Sequence, residues 1–267
     1  MHPTGKKLSI ARIFVASPIY NDQCYGSYTS SLLNLQRALL SKGHDFVFQW
    51  TKSGSRISNQ RNLLVNLFLQ DTSSTHLLFI DSDMAFEAND VMKMLEYDHD
   101  IMAALCPRKV ISWENAVVMA RTHPDLSVSA LPLVSGMFAT FNLLPGETDI
   151  PLDRPFPIAS TGTGILLIRR NVFTCMIEAL PEFMVPLDGH QARIFPTMNR
   201  LTAFFNEMTA PDGQLLGEDL SFCERWRSIG GQIHGCAWPK IRHLGTYEYT
   251  CDLSAIRQAT PENVPVR

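Results

Sequence analysis

The chain has 267 residues, 45% of them hydrophobic and 18% charged, which suits one large α/β domain or two small ones around a sizeable core. Its net charge of -3 shows no basic excess of the kind nucleic-acid binders carry, so no nucleic-acid partner is expected. The six cysteines are scattered without a C-x-x-C pair, which excludes zinc-ribbon and thioredoxin-like readings and fits reduced thiols in the cytoplasm.

The opening MHPTGKKLSIARIFVAS sets two lysines before a short apolar run broken by Arg12. It reads as a first core strand rather than a secretion signal. No apolar run reaches the ~18 residues of a membrane span, so the chain is expected to be cytoplasmic, or at most peripheral at a membrane surface.

In chain order, ARIFVAS (11–17) reads as a strand stopped by Pro18. Residues 25–43 read as a helix with Leu32, Leu35, Leu39 and Leu40 on one face and Gly43 as its stop. DFVFQW (45–50) is the next strand and 51–58 a polar loop. Helical spacing of Leu63, Leu64, Leu67 and Phe68 predicts a helix over 59–70, with Ser58 as N-cap. Then come a strand at HLLFID (76–81), a helix at 88–97 and a strand at 100–106. Strand and helix alternate with short connections, which predicts an α/β fold with a mainly parallel central sheet flanked by helices.

After Pro107 the rhythm changes. Residues 116–121 and 131–144 read as short strands or hairpins, and 144–159 as a Pro-rich loop. TGTGILLIRR (161–170) is a glycine-led strand, and 171–180 a helix. A helix over 218–230 has Leu220, Phe222, Cys223, Trp226 and Ile229 on its apolar face and ends at Gly230-Gly231. One or two short strands fit 232–245, and the tail from about 252 reads as frayed. No linker-like composition divides the chain. It is read as one domain with a nucleotide-binding half (about 8–106), an irregular, loop-rich half (about 107–250) and a tail (251–267).

Asp81 and Asp83 stand where an apolar strand ends, with Ser82 between them. Ligands of open α/β sheets bind beyond the carboxyl ends of strands. Two carboxylates there repel unless a cation joins them, and oxygen ligands suit magnesium or manganese. The D-x-D spacing alone is weak, because DHD at 98–100 repeats it before a strand, where a solvated turn explains it. Glu218 and Asp219 open a helix: either the dipole favours them there, or one aims into a cleft as a general base. His243 lies in IRHLG with no second histidine at ligand spacing. In CPRKVISWEN (106–115), just past a strand's carboxyl end, Arg108 and Lys109 could touch a phosphate; a plain surface loop with a partly buried Trp113 explains the segment as well. Residues 181–216 read as a lid over a ligand or as loops closing the core.

The order ASPIYN, NQRNLLVNLFL, LLFIDSDM, TGTGILLIRR, GEDLSFCERW, IRHLG resembles the nucleotide-sugar-dependent glycosyltransferases of the GT-A fold, a single Rossmann-like domain, over about residues 10–249. The resemblance implies a nucleoside-diphosphate-sugar donor and a hydroxyl on a glycan, lipid-linked or protein acceptor, as in polysaccharide biosynthesis. It implies a Mn²⁺ or Mg²⁺ ion held by Asp83, with Asp81 and His243, and a nucleotide lying along Ser17, Pro18, Tyr20, Asn21, Arg61 and Ser82. Gly162 and Thr163 would approach donor or acceptor sugar, along with Lys109 and Trp113. Asp219 would be the base, with Glu218 its neighbour, and inversion is favoured. A nucleotidyltransferase is the enzymatic alternative, disfavoured because no glycine-rich loop follows the first strand. A sugar- or nucleotide-binding module without chemistry is the other.

Overall fold

The structure is a computed structural model and describes residues 10–53, 56–138, 141–210 and 212–247. The tail at 251–267 lies outside the described residues, as does the segment before residue 10.

The strands Arg12–Tyr20, Asp45–Ser53 and His76–Ile80 are separated by the helices Gly26–Ser41 and Ile57–Gln70. The helix Ala88–Tyr97 and strand Ile101–Ala104 continue the alternation. Later segments add the strands Phe141–Leu143, Phe156–Thr161, Ile165–Arg169 and Ile233–Cys236 to the same sheet.

From one edge the order is Asp45–Ser53, Arg12–Tyr20, His76–Ile80, Ile165–Arg169, Ile101–Ala104, Ile233–Cys236, Phe156–Thr161, Phe141–Leu143. Six of these eight strands run one way, and Ile165–Arg169 and Phe156–Thr161 run against them. This is the expected mainly parallel α/β sheet, with helices on both faces.

One face is covered by Ile57–Gln70, Arg170–Ala179 and Glu218–Ser228 through Leu64, Phe68, Phe173, Phe222 and Trp226. The helices Gly26–Ser41 and Ala88–Tyr97 cover the other through Leu35, Leu39, Val91 and Leu95. Both faces are dry, which is why the central strand HLLFI is buried along its whole length. The reversal of Ile165–Arg169 matters for function. It pairs Ile165 with Ile80, so the TGTG turn (161–164) lies beside Asp81 at the carboxyl-end rim.

Several expectations are corrected. Pro18 does not stop the first strand, which continues to Tyr20. Its register with His76–Ile80 ends at Ala16, so beyond that point only one flank of the strand is paired and a missing N–H is tolerated. Ser58 is not an N-cap: the helix begins at Ile57, after Arg56, with no side-chain cap. Leu40 is exposed rather than part of the buried face. Residues 116–121 are helical, not strand: Trp113–Thr122 is a helix whose Ser112 Oγ accepts from Asn115 N. None of its residues is buried, so no packing enforced the strand preference of Val117 and Val118. Leu131–Val134 is also helical, and only Gly136–Phe138 and Phe141–Leu143 of that stretch are strands.

Among the described residues no helix is long and apolar enough to cross a membrane.

Candidate active site

The strand His76–Ile80 ends at Asp81, whose N–H donates to the Gly164 carbonyl. A tight turn follows, closed by Met84 N on the Asp81 carbonyl at 3.0 Å. The short strand Arg242–His243 pairs antiparallel with Met84–Ala85, and Leu244 N donates to the Asp83 carbonyl at 2.8 Å. Two residues 160 apart in sequence, Asp83 and His243, are thereby set 3.4 Å apart, Oδ1 to Nε2.

From the opposite side the helix Glu218–Ser228 brings its first turn to the same rim. Asp219 Oδ1 accepts from Leu220 N at 2.8 Å, while its Oδ2 faces Gly162, where a side-chain carbon would stand 3.5 Å away. Arg61, on the helix Ile57–Gln70, lies between the acidic groups. Its Nη2 donates to Asp81 at 3.1 and 3.3 Å, and its Nε is 3.7 Å from Glu218 Oε1.

These groups enclose a cavity of about 230 Å³, lined by Arg61, Asp81, Glu218, Asp219, His243 and the 161–164 turn. Met84, Ala104, Leu105, Cys106 and Phe141 form its apolar wall. At Gly164 a side-chain carbon would come within 2.7 Å of Met84 Cε and 3.1 Å of Cys106 Sγ, so any larger residue there would push the Met84 side chain aside.

The electrostatics follow from burial and pairing. Burial pushes the Asp81 carboxyl above its usual range, Arg61 pulls it back, and Asp83 adds to the rise. Burial, with Asp219 beside it, raises Glu218. Burial alone would raise Asp83, but His243 and Lys109 hold it below the ordinary range. Burial alone would lower His243, but Asp83 and the Pro107 carbonyl bring it above its ordinary value. Burial pushes the Cys106 thiol up to about 12, which keeps this cavity-lining sulfur protonated and its nucleophilicity low.

Asp83 Oδ1 is buried, and its one near partner is His243 Nε2 at 3.4 Å, too far and too misaligned for a good hydrogen bond. His243 Nδ1 donates to the Pro107 carbonyl at 2.8 Å, which orients Nε2 toward that idle oxygen. One carboxylate oxygen and one imidazole fit a Mg²⁺ or Mn²⁺ ion whose remaining ligands are phosphate and water. Asp81 is turned instead to Arg61, and among the described residues no three acidic, histidine or cysteine side chains stand in a geometry that could hold a metal ion.

The expected nucleotide residues divide. Arg61 reaches the cavity, and Ser82 is half-buried in the Asp81–Met84 turn. Ser17 is fully buried, with its Oγ 2.6 Å from the Tyr28 hydroxyl and donating to the Ile80 carbonyl, so it presents no free hydroxyl to a ligand. Pro18 is buried, while Tyr20 is 66% exposed. Asn21 and Asp22 both hold left-handed backbone, φ 52° and 64°, in the turn at the end of the first strand. Asn and Asp are the non-glycine residues that adopt this region most readily, as a tight turn requires. Of the expected sugar contacts, Gly162 and Thr163 line the cavity. Trp113 begins the exposed helix and is 62% exposed, and Lys109 instead pairs with Asp83. Sequence reasoning missed Phe141 and Cys106 as cavity residues, and nothing local marks them.

No family model matches the chain, and no curated protein matches it. Among solved structures it is similar to A197 from STIV, with a TM-score of 0.47 and 11% identity over 89% of this chain and 87% of that one. It is similar to the catalytic domain of Drosophila β1,4-galactosyltransferase 7 in complex with xylobiose, with a TM-score of 0.44 and 12% identity over 96% and 82%. It is also similar to UDP-glucose pyrophosphorylase complexed with UDP-glucose, with a TM-score of 0.40 and 8% identity over 87% and 92%. At such similarity, what this chain binds has to be read from its own side chains.

Proposed function

We propose that the chain is a nucleotide-sugar-dependent glycosyltransferase of the GT-A kind, moving a sugar from a nucleoside-diphosphate sugar to a hydroxyl of a glycan, lipid-linked or protein acceptor. The observation that carries this reading is the convergence of Asp81, Glu218 and Asp219 with Arg61 in one cavity at the carboxyl-end rim of the sheet. About 230 Å³ suits one sugar ring rather than a whole nucleotide, so the diphosphate and nucleoside would lie outside it.

In this reading Asp219 Oδ2 takes the proton of the acceptor hydroxyl, while the Leu220 N–H fixes the other oxygen. The acceptor oxygen attacks the sugar carbon from the face opposite the diphosphate, which leaves with inversion. Asp83 and His243 would hold Mn²⁺ or Mg²⁺, which when bound supplies Lewis-acid neutralisation of the leaving diphosphate. Glu218 and Asp81 keep Arg61 in place at the cavity. A nucleotidyltransferase is less favoured, because the turn after the first strand reaches Gly26 without an earlier glycine.

The test is slow donor hydrolysis. Incubation with UDP-, GDP-, CDP- and dTDP-sugars, with manganese and with magnesium, is expected to release nucleoside diphosphate from one of them. Absence of release from all four would leave a binding module without chemistry.

A further inference from the structure

Lys109 lies on the strand Pro107–Ile111, three residues after the cavity-lining Cys106. Its Nζ donates to Asp83 Oδ2, and its side chain remains 43% exposed. Among the described residues Asp83 is its one hydrogen-bond acceptor. An ammonium has three N–H donors, so two are left for something else.

This lysine is held, not loose. Its stem runs against the backbone of Gly245, where a side-chain carbon would come within 2.9 Å of Lys109 Cδ. Gly245 follows the strand that carries His243, and the Pro107 carbonyl in turn accepts from His243 Nδ1. Lys109, Asp83 and His243 therefore form one tied unit.

His243 lines the cavity and Asp83 stands beside it, so this unit forms the rim over which a diphosphate would leave a cavity filled by a sugar. We propose that Lys109 is a built-in cation of the donor site: oriented by Asp83, it donates its remaining N–H groups to the donor diphosphate, so that diphosphate recognition persists without a divalent ion. This rests on the nucleotide-sugar reading above and adds to it a residue and a consequence.

The test compares binding of UDP, GDP, CDP and dTDP with the corresponding monophosphates, in chelator and in manganese. It uses the wild type, Lys109→Met and Lys109→Arg, each checked for native thermal unfolding. In chelator the wild type should bind its preferred diphosphate about tenfold more tightly than the monophosphate, the scale of one charge-assisted contact. Lys109→Met should erase that ratio while leaving monophosphate affinity within about twofold, and Lys109→Arg should restore part of it. An unchanged ratio in Lys109→Met, or complete loss of wild-type diphosphate binding in chelator, overturns the role of Lys109 and leaves the nucleotide-sugar reading standing. No binding of any diphosphate under either condition overturns both.

Discussion

Arg170 and Arg61 lie at opposite poles of the central sheet, and they are satisfied in opposite ways. Arg170 follows the reversed strand and sits at the amino ends of the others. Its Nε donates to the Ser74 carbonyl at 2.6 Å, its Nη2 to Phe68 and Asp71 at 2.8 and 2.6 Å, and its Nη1 to Leu69 at 3.5 Å. It also covers the Phe68 ring at 4.2 Å. It thus supplies the carbonyls that the end of the helix Ile57–Gln70 leaves unpaired. Arg61, at the carboxyl-end pole, is 4% exposed, yet its Nε and Nη1 have no hydrogen-bond partner. A guanidinium with every nitrogen used is part of the scaffold. One whose Nη1 is left over, while Nη2 and Nε face Asp81 and Glu218, has capacity left for a ligand.

That contrast can be broken by mutation. The largest effect is expected at the site itself: Asp219→Asn should lower sugar transfer by about 10²–10⁴-fold and leave donor binding within about twofold, measured by turnover beside calorimetric binding. Next, Arg170→Met should cost roughly 3 kcal/mol in denaturant unfolding, because it strands several carbonyls at once, with no change in nucleotide affinity. Arg61→Met should do the reverse, weakening nucleotide-sugar binding by about tenfold while costing less stability than Arg170→Met. Equal stability losses in the two variants would remove the distinction between scaffold and site. The smallest effect is expected at Ser112→Ala, which deletes the cap of the exposed helix Trp113–Thr122. About 1 kcal/mol of local helix stability should disappear, visible as faster amide exchange there, with donor binding untouched.

Much of this arrangement is legible in the residues. The helix Ala88–Tyr97 and the strand His76–Ile80 fall where their apolar patterns put them, because both are packed against the core. Asp81 stands out by its place at a strand end, while Glu218, Asp219 and His243 gain their weight from the family resemblance; the structure brings all four to one cavity. The helix Trp113–Thr122 escapes the same reasoning. Its valines favour strand and no buried face records the actual period. The contacts that tie the site together also escape it. Arg61 meets Asp81 and Lys109 meets Asp83 across 20 and 26 residues, and each pairing depends on where the reversed strand and the 242–243 strand place the backbone. Ser17 misleads for a related reason: it looks like a strand-end ligand, but the strand runs on past it and its hydroxyl is used inside.

The most direct measurement is thermal unfolding in the presence of UDP, GDP, CDP or dTDP with manganese. Binding to the native state at about 100 times Kd stabilises by about 2.7 kcal/mol, which for a chain of this size raises Tm by about 5–10 °C. A rise of that order with one nucleoside diphosphate, reduced in Arg61→Met, is the predicted result. An unchanged Tm with all four at millimolar concentration would contradict the central claim that the acid-lined cavity and its rim form a nucleotide-sugar site.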